Sequence, residues 1–267
     1  MIAPALRLEL RRSRALVGGL VLVVVGYGGF MAAFYPTLAK NTAALDEYLK
    51  ILPREFLVAF GMEGSLADPG VFFTTYVGSW LWPIVAAIAA IVLATRVSAA
   101  DTDRGWIELP LATPLSRTRY LLIAIAVQAI ALALLAVAAV AAVVGVGAIS
   151  GAGFDAGRFF LVTPLAFAFA CTIAAVTTLL GVVTMSRGAA SGAVAGGLIA
   201  MYLLDIVAKI EPSLDALGAL SAFRYFRPTP IIDRGEFPFG DLALFSVVAV
   251  AAWAASLWAF RRRDLIA

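Results

Sequence analysis

The chain has 267 residues, of which 63% are apolar and only 14% charged, a balance that excludes an ordinary soluble domain and places the chain in a bilayer. Histidine is absent and Cys171 is the single cysteine, so disulfide frameworks and the usual His or Cys metal sites are excluded, and no metal site is expected. The formal charge of +3 is small, and no nucleic-acid partner is expected.

Residues 1–14 carry Arg7, Arg11 and Arg14 along one helical stripe and Ile2, Leu6 and Leu10 along another. This predicts an interfacial helix, its apolar stripe at headgroup level and its arginines against anionic lipid or an acidic partner. Residues 15–35 are uncharged. At 1.5 Å per residue they cross a hydrocarbon core of about 30 Å, giving helix one as an uncleaved anchor. Residues 36–70 read as a loop. Within it Leu45, Tyr48, Leu49 and Leu52 have helical spacing before Pro53, and Phe56, Leu57 and Phe60 follow, which predicts a short amphipathic segment on the far face. Residues 71–95 form helix two, with Trp80 and Trp82 inside it and a kink expected at Pro83.

Between helices two and three lies the most distinctive polar stretch, residues 101–117. Asp103, Arg104, Glu108 and Arg117 place both signs of charge around Gly105, Trp106, Ile107, Leu109 and Leu111, and Thr113, Pro114 and Ser116 close the stretch. An apolar patch rimmed by charge suits insertion into a groove on another protein. The plainer reading is a solvated loop whose Pro114 and Ser116 mark a helix start.

Ser116 caps helix three, residues 120–149, which is long enough to tilt or project. A Gly-rich turn at 150–158 leads to helix four at 159–185, and Ser186 and Arg187 form a short break before helix five at 188–208. Cys171, inside helix four, reads as packing. Gly188, Gly192 and Gly196 recur at a spacing of four on one face of helix five, which predicts close approach to another helix. Asp205 is the one acidic residue inside an apolar run, with Lys209 four residues on. A local ion pair is the preferred reading, and an intramembrane polar site in transport is the alternative. Residues 209–241 form a polar connection in which aromatics alternate with Arg224 and Arg227, and residues 242–260 form helix six.

The loops shared with both termini hold 12 lysines and arginines, and the opposite loops hold 8. The positive-inside rule then predicts both termini and residues 101–117 in the cytosol.

Residues 101–117 resemble the signature EERGTLELLLATPVSR that follows the second membrane helix in permease subunits of ABC-2 type transporters, and the order of apolar segments extends the resemblance loosely over the chain. It departs in two places, with Trp106 where Thr is usual and Pro110 where Leu is usual. Since proline breaks a hydrogen bond beyond a first helical turn, the helix here is expected to be shorter or to start later. The resemblance implies an all-α integral membrane protein with six membrane helices, an N-terminal interfacial helix and a cytosolic coupling helix that docks on an ATPase. It further implies pairing with a second copy or a similar permease subunit, two separate ATPase subunits that hold ATP and Mg²⁺, and export across a prokaryotic cytoplasmic (inner) membrane. The residues agree on one point: no Gly-x-x-x-x-Gly-Lys-Ser/Thr loop is present, so no cofactor is expected on this chain and no catalytic residue is assigned. An ion- or proton-coupled carrier using Asp205 is the alternative, weakened by the scarcity of membrane acids and the lack of an evident repeat. A membrane protease lacks a histidine base and a carboxylate pair.

Overall fold

A computed structural model describes residues 2–41, 47, 49–59, 62, 64–79, 81–96 and 116–262. These residues are mostly helical, without a strand, and six helices are long and apolar enough to cross a membrane. Only closed barrels and helices satisfy every backbone group in lipid, so the apolar composition and the all-helical backbone have one cause.

Helix α1 runs from Ile2 to Ala39 without interruption. The expected break between an interfacial helix and helix one is therefore absent: residues 2–14 are the first turns of one rod, which at 1.5 Å per residue is about 57 Å long and exceeds the hydrocarbon core. It also continues three residues beyond Pro36, where a loop was expected. A short helix α2, Arg54–Ala59, follows Pro53, whose carbonyl accepts from the Phe56 and Leu57 amides. Of the predicted amphipathic segment, Leu45, Tyr48 and Phe60 lie outside the described residues.

The second span is not one α-helix. Helix α3, Pro69–Phe73, passes into a π-helical turn at Thr74–Gly78, and helix α4 resumes at Leu81–Thr95. The irregularity thus precedes the expected kink at Pro83, which sits in the first turn of α4, where its missing N–H is tolerated. Helix α5, Arg117–Ser150, starts at Ser116, whose hydroxyl accepts from the Arg119 amide at 3.4 Å. It stops at Gly151, which has φ 71°. Gly153 at φ 72° completes a turn that lays the Phe154 ring over Gly147, where no side chain would fit.

Asp155 caps helix α6, Ala156–Thr184, accepting from the Gly157 and Arg158 amides at 2.8 and 3.3 Å. Met185, in the left-handed region, and Ser186, which caps helix α7 at Arg187–Ile210, make the expected short break one residue earlier than predicted. The polar connection folds into a 3₁₀ turn at Pro212–Leu214, helix α8 at Asp215–Gly218, a second 3₁₀ turn at Ala222–Tyr225 and helix α9 at Pro228–Arg234. Helix α10, Phe239–Arg262, is the last span.

Helix α6 is the hub: α10, α4, α5, α7 and α9 all pack on it, and it is the most buried of the spans. Its Phe169 meets the rings of Phe223, Phe226 and Phe245, tying the polar connection and α10 to the core. The buried Thr178 donates to Gln128 at 3.2 Å, an interhelical bond between α6 and α5 inside the apolar zone. Cys171 is buried in this core, in keeping with a packing role. Helix α1 packs mainly on α5, and there Gly28 and Gly29 face Val143 and Val146 so closely that an added Cβ would lie 3.3 and 3.2 Å from their methyls.

Candidate functional site

Most of the predicted docking stretch, Asp103, Arg104, Gly105, Trp106, Glu108, Leu109, Leu111, Thr113 and Pro114, lies outside the described residues. Its two attachments are described. Arg96, just after α4, donates to the Arg12 carbonyl of α1 at 3.3 Å, and the stretch rejoins the bundle at Ser116 and Arg117, the start of α5. Arg7, Arg11 and Arg14 are exposed on the same end of α1.

Helix α7 is the least buried span. An added Cβ at Gly192 or Gly196 would meet nothing within 4 Å, and at Gly188 only the Ser186 hydroxyl at 4.0 Å. Among the described residues no other helix comes close to these glycines, whereas such an approach is made at Gly28 and Gly29. No sequence rule separates the two sets. Gly28 and Gly29 are adjacent rather than four apart, and what they pack against lies more than a hundred residues along the chain.

Between α4 and α7 runs an apolar groove of about 510 Å³, lined on one side by Pro83, Ile84, Ile88 and Ile91 and on the other by Ala195, Leu198 and Ile199. At the end of the bundle opposite the termini, Ser79, Tyr202 and Phe223 belong both to this groove and to a second, polar cavity of about 330 Å³. Asp205, Lys209, Arg224 and Arg227 supply the charges of that cavity, and Thr74 and Thr229, joined by a 2.8 Å hydrogen bond, supply hydroxyls.

Each charge is held in place. Asp205 is buried, and Lys209 reaches it at 2.7 Å, the i, i+4 pair read from the sequence. Arg227 donates from Nε and Nη2 to Oδ2 of the buried Asp241 at the start of α10, at 3.0 and 2.6 Å. Arg224 forks onto both carboxylate oxygens of Asp215 at 2.8 and 3.1 Å. Its hydrogen bonds, then its charge, hold the Asp215 carboxyl below the ordinary carboxylate range. These last two pairs were not legible in the sequence: the partners are 14 and 9 residues apart, at no helical spacing.

A third anchor closes this end. The Gly70 amide donates to Asp233 of α9 at 2.7 Å, and Arg158 of α6 donates to the Asp233 carbonyl at 2.6 Å. An added Cβ on Gly70 would come within 2.2 to 2.4 Å of the carboxylate, so only glycine permits the approach. Burial pushes the Asp233 carboxyl above its ordinary value, with the Gly70 amide acting against that rise. Among the described residues no cluster of acidic residues or cysteine could hold a metal ion.

Comparison with curated proteins gives no match. The family described as "Multidrug efflux system permease Rv1217c, C-terminal domain" matches residues 2–261, so all six spans, save the final Arg262 of α10, and the stretch between α4 and α5 fall inside it. With six apolar spans, four of which pack on a fifth, α6, the chain belongs to this family.

Proposed function

We propose that the chain is the membrane subunit of an ATP-driven exporter of the ABC-2 type, working with separate ATPase subunits that hold ATP and Mg²⁺. The observation that carries this reading is the family match across residues 2–261 of a chain that has no phosphate-binding loop of its own. The charged stretch around Trp106 is the docking element. Closure of the ATPases on ATP moves it, and its attachments at Arg96 and Ser116 pass the motion to α4 and α5. Since α4 is one wall of the apolar groove, the motion changes the width of the groove. A groove on the face of the bundle is half a path. The other half comes from a second copy or a similar permease subunit, and the open glycine stripe of α7 offers a surface for it. Both termini and the docking stretch face the cytosol, as the loop charges require.

Co-purification with the ATPase encoded beside it tests the reading. The native chain is expected to carry the ATPase in equal amount, and Glu108→Arg, which reverses one charge of the docking rim, is expected to lose it. Arrival of no ATPase with the native chain would return the stretch to an ordinary loop and leave Asp205 and a gradient-driven carrier as the reading to pursue.

A further inference from the structure

We propose that the polar cavity and the apolar groove form one binding site for an amphiphile with an anionic head, the head at Lys209 and Arg227 and the tail along α4 and α7. This deepens the permease reading by naming the chemical class of its ligand, and it rests on that reading only for the claim that the ligand is then moved.

The two spaces adjoin, with Ser79, Tyr202 and Phe223 as shared walls. Their chemistry differs sharply. The groove wall is almost wholly aliphatic, whereas the cavity carries three cations and one carboxylate. That carboxylate is not available to a ligand: Asp205 is 5% exposed and already meets Lys209. The counter-charges of the two arginines, Asp215 and Asp241, are not part of the cavity wall. The wall thus carries three cations to one acid, and each cation is oriented by a carboxylate, Asp205, the exposed Asp215 or the buried Asp241, that leaves some of its donors over. Arg227 spends Nε and Nη2 on Asp241, and its Nη1 makes no hydrogen bond to a described residue. Lys209 is about half exposed and has three donors, one of which is engaged by Asp205. A carboxylate, sulfate or phosphate ester would complete these donors with charge-assisted hydrogen bonds, whereas an ammonium head would meet like charge. A neutral tail alone would gain only the groove.

The test uses the full chain, purified without the ATPase, and three matched probes: a dansyl-labelled undecanoic acid, its methyl ester and the corresponding undecylamine. At neutral pH the acid is expected to bind about tenfold more tightly than the ester or the amine, the scale of one charge-assisted hydrogen bond. The preference should shrink as salt rises, because the cations are partly exposed. Two double variants remove a cation together with its acid, so that no buried carboxylate is left unpaired: Arg227→Gln with Asp241→Asn, and Lys209→Gln with Asp205→Asn. Each is expected to bring the acid down towards the ester while leaving ester binding in place, which also shows that the groove is still formed. Equal binding of acid and ester by the native chain, or a preference indifferent to salt, overturns the proposal even if a variant fails to fold. In nanodiscs, displacement of the acid by phosphatidylglycerol but not by phosphatidylcholine would identify an anionic bilayer lipid as the source of the head, and the lack of displacement by either a free acid. Loss of the acid preference leaves ATPase co-purification standing, and loss of co-purification leaves the binding result standing.

Discussion

At the scale of single residues, the end of the bundle opposite the termini is held by a few polar contacts between distant parts of the chain. Gly70 and Asp233 are the clearest case, 163 residues apart yet in such contact that a methyl group cannot be added. Gly70→Ala forces the carboxylate away from the amide it accepts from and leaves that amide without its partner. A loss of about 1 to 3 kcal/mol is expected, read as a lower unfolding midpoint in detergent. Asp233→Ala is expected to lose less. The double variant should be little worse than Asp233→Ala alone, since the obstruction is then gone. Additive losses would mean that the clash is not the cause. The Arg227 and Asp241 pair belongs to the same class: the acid is buried behind the cation, so removing the arginine alone leaves an unpaired charge. Sequence reading recovered Asp205 with Lys209 because helical spacing itself brings them together, and missed the pairs that only the folded connection creates.

At the scale of elements, two sets of small residues have opposite fates. Gly28 and Gly29 let α1 lie against α5, while Gly192 and Gly196 face open space and Gly188 nears only the Ser186 hydroxyl. Leucine at Gly28 must displace Val143, and a loss of about 1 to 3 kcal/mol in fold stability is expected. A Cβ at Gly192 meets no described atom within 4 Å, so leucine there is expected to leave stability almost unchanged. If α7 is the contact between subunits, as proposed, this variant should run as a monomer in native mass spectrometry while the native chain runs as a dimer. An unchanged oligomer would move the subunit contact to another face. The helix ends illustrate what local chemistry settles. Ser116, Asp155 and Ser186 each cap the helix that follows, and each signal is contained within a turn of the chain. The π-turn at Thr74–Gly78 has no such signal, and Thr229 of α9 bonds to its first residue across the fold.

At the scale of the whole molecule, the proposed coupling and passage use different parts of the chain. The proposed docking stretch joins α4 to α5 in sequence, and the groove lies between α4 and α7, so α4 is the element common to both. A variant that fills the groove should therefore stop transport without disturbing assembly. Ile88→Trp, at a half-exposed position on the groove wall, is expected to keep the ATPase bound in equal amount while ATP-dependent export from proteoliposomes falls about tenfold or more. Unchanged export would place the path elsewhere on the bundle.

Six spans and the permease family follow from the sequence alone, because a bilayer demands long apolar runs with internally satisfied backbones and the family pattern at 101–117 is a local run of residues. The merging of residues 2–14 with the first span, the hub position of α6, the choice between two glycine sets and the meeting of Lys209 with Arg227 around one cavity were decided only by tertiary structure. Apolar periodicity says that a helix enters lipid. Which of its faces meets another helix depends on residues scores of positions away, and lipid and protein interiors are too alike in polarity for the sequence to tell them apart.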